Sequence, residues 1–345
     1  MSRRKPKSTR GKSWGAGTLF LAMLVVLAGV GGAAWFVATP YGPESETFVD
    51  LAPGSSTAHI GRQLEQAGIV RSGYAFDLIR WFRRGKLKAG EYRFDHPVPA
   101  WDVYARIVRG DVYTRTVVVP EGANVFEIAA RLKKAGLSAG EGFVEEQASL
   151  TRLVKDLDPN AKSLEGYLFP DTYRFPRSAT SEQICTAMVK QFRASAAKIG
   201  LKENVHQVVT IASLVERETA IDSERPLVAS VFDNRLAKNM PLMTDPAVIY
   251  GLELEGKWRG AIYQSDLKLN TKYNTYLHTG LPPGPIGNPG LRSLKAAMNP
   301  AQTSYLYFVA AGTNPQGKSL FASTLEDHTR NVSGYRHAKK KAGGS

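Results

Sequence analysis

The sequence predicts an α+β chain on a single N-terminal transmembrane helix, with a small α+β module followed by a mainly helical domain with long loops and some strands. Three observations lead there. An uncharged apolar run lies near the N-terminus, a strand–turn–helix pattern occurs twice between residues 46 and 150, and helical periodicity with aromatic, Gly- and Pro-rich loops takes over from residue 156. At 345 residues with 43% apolar content, the chain has material for two or three folded units.

No side chain is charged between Lys12 and Glu44, and residues 14–37 are almost wholly apolar. At ~1.5 Å rise per residue such a run crosses a hydrocarbon core of about 30 Å. Trp14 and Trp35 stand near its ends, where indole rings favour the interface. Arg3, Arg4, Lys5, Lys7, Arg10 and Lys12 precede it. The positive-inside rule therefore leaves the basic leader, residues 1–13, in the cytoplasm and puts everything after Pro40 outside. Ala33, Ala34 and Ala38 are small enough for a signal-peptide cleavage site, but the run is long for a signal h-region. The expectation is an uncleaved single-pass anchor in the cytoplasmic (inner) membrane. The rest of the chain then works in a compartment without ATP or nicotinamide cofactors.

The net charge of +14 is concentrated at the ends. With the six leader cations and Arg336, Lys339, Lys340 and Lys341 set aside, the interior carries about +4, which is ordinary for a globular body. No nucleic-acid-binding signature accompanies it, so nucleic acid is not an expected partner. Cys185 is the single cysteine, and the six histidines lack metal-ligand spacing. The expectation is no metal and no cofactor.

In the repeat, Val49, Leu51, Gly54, Ile60, Leu64, Ala67 and Gly68 match Val117, Val119, Gly122, Ile128, Leu132, Ala135 and Gly136 at one offset. Each copy reads as a strand, a turn and an amphipathic helix with i,i+4 apolar spacing, stopped by Gly68 or Gly136. Between them LKAGEYRF reads as a strand and WDVYARIVRG as a helix ending at Gly110. Residues 46–150 are thus expected to form one small module or a pair, similar to LysM-like glycan-binding modules. Beyond it, SLEGYLFPDTYRFP is turn-rich, and residues 181–199 and 205–219 read as helices. MTDPAVIYG and KYNTYLHTGLPPGPIGNPG read as loops, SYLYFVAAG as a strand, and residues 337–345 as a disordered tail. Long polar and aromatic loops on a helical scaffold, spanning 156–336, suit a groove for a polar polymer.

VVTIASLVERETAIDSER carries the chemistry. Val205, Val208, Val209, Ala212 and Val215 lie on one helical stripe, widened by Ile211 and Leu214, with Glu216 and Glu218 in or beside the arc. Apolar surroundings raise a carboxyl pKa, so that it holds a proton near neutrality as a general acid must. The helical wheel alone does not choose between the two. Glu216 is nearer the stripe centre and is the candidate structural partner of an arginine such as Arg235. Glu218 is near the helix end, where exposed carbonyls push its pKa further up and loops admit substrate.

IASLVERETAIDSERPLVASVFDNRLAKNMPLMTDPAVIYGL, followed by YNTYLHTGLPPGPIGNPGLRSLKAAMNP and YLYFVAAG, resembles the YceG-like family of endolytic transglycosylases, MltG type. EGYLFPDTY, AGEYRF and PEG extend the resemblance over nearly the whole chain beyond the leader. The resemblance implies a LysM-like membrane-proximal part and a lytic-transglycosylase-type catalytic domain. It also implies a catalytic glutamate at the second Glu of the E-[KR]-E-T motif, here Glu218. The implied substrate is peptidoglycan glycan strands, with peptidoglycan synthases as candidate partners. The implied reaction needs one carboxyl, because the C6 hydroxyl of N-acetylmuramic acid is the nucleophile. Tyr273, Asn274, Tyr276, Thr244 and Asp245 are the candidate sugar-holding residues, Asn274 ahead of the tyrosines. Asp245 could equally be an Asp-Pro turn residue, and the tyrosines core packing. A non-catalytic wall-binding scaffold, and a muramidase using water with Asp245 as second carboxylate, are the alternatives.

Overall fold

The computed structural model describes residues 15–312 and 318–342. The expected basic leader and Trp14 lie outside the described residues, as do the last three. The chain divides into two compact units, Met1–Tyr113 and Thr114–Ser345.

In the first unit, α1 (Gly15–Ala38) contains a 22-residue apolar stretch, none of it buried. The core helix of a soluble protein would be covered. A signal anchor or signal sequence is not, and α1 has the length and exposure of one. Then come β1 (Thr47–Leu51), α2 (Thr57–Gln66), α3 (Gly73–Arg83), β2 (Gly90–Phe94) and α4 (Ala100–Arg109). β1 and β2 pair antiparallel with Val49 opposite Tyr92. Ser56 caps α2 by accepting from the His59 N–H, and Gly110 closes α4 in the left-handed region at φ 75°. Val49, Leu51, Ile60, Leu64, Phe76, Tyr92, Val103 and Ile107 form this unit's core. α2 and α3 approach so closely that a Cβ on Gly61 would lie 2.8 Å from the Gly73 carbonyl oxygen.

The second unit opens with the second copy of the repeat, β3 (Thr114–Val118) and α5 (Val125–Lys134). Asn124 and Glu127 close a capping box on α5, and Gly136 stops the chain at φ 72°. α6 (Phe143–Ser149) follows, then β4 (Thr172–Pro176). β4 pairs with β3 in the register that β2 uses with β1, with Val117 opposite Tyr173. Both partner strands carry Tyr-Arg-Phe, Tyr92–Phe94 and Tyr173–Phe175. This pairing explains why the units divide at Tyr113 and Thr114 rather than at the expected 150. The second copy finds its strand partner beyond residue 170, so residues 114–150 pack with the helical part.

That part comprises α7 (Ser181–Ile199), α8 (Val205–Glu218), α9 (Arg225–Ala237), α10 (Asp245–Leu254) and α11 (Leu291–Met298). The β5 (Tyr307–Ala310) and β6 (Ser319–Ala322) hairpin and α12 (Leu325–Ala342) complete it. α8 is central: Val209, Ile211, Ala212, Leu214 and Val215 are buried, and α9, α10 and α11 pack on it. Two expectations are corrected. MTDPAVIYG is not a loop but enters α10, with Thr244 as N-cap and Pro246 in the first turn, where a missing N–H costs nothing. Residues 337–342 belong to α12 rather than to a disordered tail.

Gly166, inside EGYLFPDTY, has φ +89°, and a Cβ there would lie 2.5 Å from Pro285 Cγ and 2.6 Å from Val209 Cγ1. Gly166→Ala is expected to lower stability by about 2 kcal/mol, from overpacking and the left-handed backbone. Thermal unfolding checks this, and an unchanged Tm would mean that the Pro285 loop yields freely.

Candidate active site

α8 ends at Glu218 because Thr219 leaves helical geometry (φ −143°, ψ 135°), its N–H still bonding the Val215 carbonyl. The Thr219 hydroxyl then accepts the Ile221 N–H and donates weakly to Glu224 at 3.4 Å, fixing the exit turn. Glu218 therefore stands at the lip of the central helix. It lines a cavity of about 550 Å³ with Arg235, Thr244, Asp245, Tyr276, Tyr307 and His328. Such a volume suits a sugar-sized ligand.

Among the described residues, no group donates a hydrogen bond to the Glu218 carboxyl. Burial pushes its pKa up to about 7, the nearby Asp245 charge pushes the same way, and Arg235 opposes both. Arg235 is anchored rather than loose: Nε donates to the Leu306 carbonyl (2.7 Å), and Nη1 to the Pro241 (3.1 Å) and Leu242 (2.8 Å) carbonyls. Its guanidinium lies over the Tyr307 ring, 5.3 Å from the centroid, and Tyr307 stacks on His328 at 5.0 Å. The Tyr276 hydroxyl donates to Asp245 Oδ1 at 2.6 Å, and burial followed by that carboxylate raises the phenol pKa. Met243, at the cavity rim, holds φ +55°, which costs a non-glycine residue strain energy.

The sequence candidates separate. Thr244, Asp245 and Tyr276 meet Glu218 at the cavity. The Thr244 hydroxyl, however, accepts the Ala247 N–H as a helix cap. Asn274 is not brought to the cavity. It is fully buried, its Nδ2 donating to the Leu267 (3.0 Å) and Leu269 (2.7 Å) carbonyls and its Oδ1 accepting the Tyr276 N–H. Its role is to shape the loop that presents Tyr276. Tyr273 is not there either; it packs edge-on against Tyr250 with ring centroids 5.0 Å apart.

Glu216 pairs with Arg225 and not with Arg235, the partner the helical wheel suggested. The two side chains, each 5% exposed, meet at 2.7 Å. The other Glu216 oxygen accepts the Gly290 N–H at 2.9 Å, while Arg225 also donates to Ser293. Glu216 thus ties α8 to α9 and to the start of α11. Sequence reasoning missed Tyr307 and His328 altogether and placed Arg235 in the wrong pair. Alternation in SYLYFVAAG was the one signal pointing to Tyr307. No group of three or more His, Cys, Asp or Glu side chains among the described residues could hold a metal ion.

Comparison with known proteins shows the chain's family. The family model described as the YceG-like family matches residues 49–334. This chain belongs to the YceG-like family. An endolytic murein transglycosylase of Bacillus subtilis is 33% identical over 325 residues, covering 88% of this chain and 89% of that protein. One from Streptococcus pneumoniae is 32% identical over 84% of this chain and 58% of its own length. A crystal structure of a YceG-like protein from Listeria monocytogenes superposes with TM-score 0.53 at 33% identity, covering 84% of this chain and 99% of that one. Most of both units of this YceG-like chain thus has counterparts in its relatives.

The raised pKa of Glu218 links stability to pH. Its folded value of about 7 lies above the ordinary 4.5, so the folded state holds the proton more tightly. That contribution is fully present below pH 4.5 and is lost as pH rises through about 7. Glu218→Gln, which cannot ionise, is expected to gain Tm relative to wild type across that window. A difference independent of pH would contradict the raised pKa.

Proposed function

We propose that this chain is an endolytic peptidoglycan lytic transglycosylase, anchored by α1 as an uncleaved single-pass helix in the cytoplasmic membrane with everything after Pro40 outside. The observation that carries the reading is one proton-holding carboxyl, Glu218, at the mouth of a polar and aromatic cavity. The names of the curated relatives fit it. The first unit has the role of a LysM-like membrane-proximal module, and the second is a catalytic domain of the lytic-transglycosylase type.

In this reading Glu218 donates its proton to the oxygen linking N-acetylmuramic acid C1 to N-acetylglucosamine. The C1–O bond breaks with oxocarbenium character at C1. The resulting carboxylate, favoured by Arg235, takes the proton from the muramic C6 hydroxyl as O6 closes on C1. The products are a 1,6-anhydro end and a free hydroxyl on the leaving strand, and Glu218 regains its proton. No water is consumed. The nucleophile is part of the substrate, which gives it a high effective concentration. Burial and Asp245 favour the acid form while Arg235 favours the base form. A carboxyl poised near 7 can serve in both steps. Asp245, held by Tyr276, adds negative potential where C1 becomes positive, and the Tyr307 face and the Arg235 guanidinium line the sugar's seat.

The test uses the full-length protein on long, uncrosslinked glycan strands. Fragments of intermediate length are expected before any disaccharide accumulates. Release of terminal disaccharides alone would overturn the endolytic reading, and strands that are bound but never shortened would favour a wall-binding scaffold.

A further inference from the structure

α3 buries one face and leaves another bare. Gly73 and Phe76 are buried, the former against α2. Tyr74, Leu78, Trp81 and Phe82 are 87%, 50%, 66% and 70% exposed. Their spacing of i, i+4, i+7 and i+8 places all four on one side of the helix. An eleven-residue surface helix exposing three aromatic side chains and a leucine on one side needs a partner. Trp81 and Phe82 stand edge-to-face, with centroids 4.9 Å apart, and present a joint apolar wedge.

Two further observations say what covers it. The first is charge. The exposed Arg83, Arg84 and Lys86 come directly after the wedge, and no acidic residue lies between Asp77 and Glu91. The second is position. The C-terminal end of α1 abuts the start of α3 within the same unit: Phe36 and Val37 share a small cavity with Ser72 and Ala75. Arg71 lies over the Phe36 and Tyr41 rings at 5.7 and 5.2 Å, fastening the junction. α3 is about 16 Å long, so the whole stripe lies within that reach of the outer end of α1. Indole rings and arginines together are what the headgroup boundary of an anionic bilayer favours.

We propose that the Tyr74–Leu78–Trp81–Phe82 stripe of α3, with Arg83, Arg84 and Lys86, is a second membrane contact that seats the first unit on an anionic lipid surface. This rests on α1 spanning the same bilayer. The apolar side chains enter the headgroup boundary and the cations meet lipid phosphates. The first unit is then held against the membrane at two places instead of swinging on a single tether.

The test places the full-length protein in nanodiscs containing phosphatidylglycerol. A nitroxide is attached at Leu78→Cys or Phe82→Cys, with Lys202→Cys as a water-facing reference; Cys185 is buried and stays unlabelled. The labels replace exposed side chains, and an unchanged Tm confirms folding. Both α3 labels are expected to lose accessibility to a water-soluble nickel complex and to gain accessibility to oxygen, relative to the reference. Arg83→Glu with Arg84→Glu should reverse part of that shift. Incorporated protein whose α3 labels remain as nickel-accessible as the Lys202 label overturns the proposal while leaving the anchor intact. Labels that respond only when soluble glycan strands are added assign the stripe to polymer binding and also overturn it. Protein that fails to incorporate removes the anchor reading as well.

Discussion

Glu218→Gln is expected to lower turnover of glycan strands by at least ~10²–10⁴-fold, the usual loss on removing a positioned general acid. The amide keeps the shape of the side chain but has no transferable acidic proton, and it cannot take one back from the C6 hydroxyl. Both steps of the proposed reaction use the same group, which places the expected loss at the upper end. Folding should survive. The Glu218 carboxyl accepts no protein hydrogen bond among the described residues, and a neutral amide is easier to bury than a carboxylate. Turnover and thermal unfolding measured on one preparation separate the two effects. Activity within tenfold of wild type would remove Glu218 as the proton donor.

Glu216→Gln should do the reverse. It leaves Arg225, 5% exposed, with only the half-exposed Asp222 at 3.2 Å as counter-charge, and breaking a buried ion pair by removing one partner costs about 3 kcal/mol. For a unit of this size that is a fall in Tm of about 6–12 °C. The Gly290 N–H loses a charged acceptor at the same time, loosening the start of α11. Below the lowered Tm, turnover should stay close to wild type, because Glu216 does not line the cavity. A stably folded but inactive Glu216→Gln protein would move the proton donor two residues upstream.

The contrast between these glutamates also shows what could be read from the sequence. Apolar periodicity located the helix and both carboxyls, and the helix end singled out Glu218. Which arginine meets Glu216 was not legible. Arg225 and Arg235 sit at opposite ends of α9, about 15 Å apart, and only the packing of α9 on α8 decides that Arg225 pairs while Arg235 reaches the cavity. The repeat was legible as two strand–turn–helix copies, yet the partner strand of the second copy lies across a long excursion, marked only by the Tyr-Arg-Phe it shares with the first partner strand. Asn274 misled because a polar residue in a Gly- and Pro-rich loop looks available, whereas two backbone carbonyls and the Tyr276 N–H use up its amide. His328 lay outside every motif, on a helix near the chain end that the tail composition disguised.

The proposed chemistry is tested most directly by the ends it creates. Cleavage of defined glycan strands by the full-length protein in ¹⁸O-labelled water, followed by mass spectrometry, distinguishes the two fates of C1. The account predicts 1,6-anhydro-N-acetylmuramic acid ends with no ¹⁸O, absent when Glu218→Gln replaces the wild type. Reducing ends carrying one ¹⁸O each would contradict it, and would make the cavity that of a muramidase with Asp245 as second carboxylate.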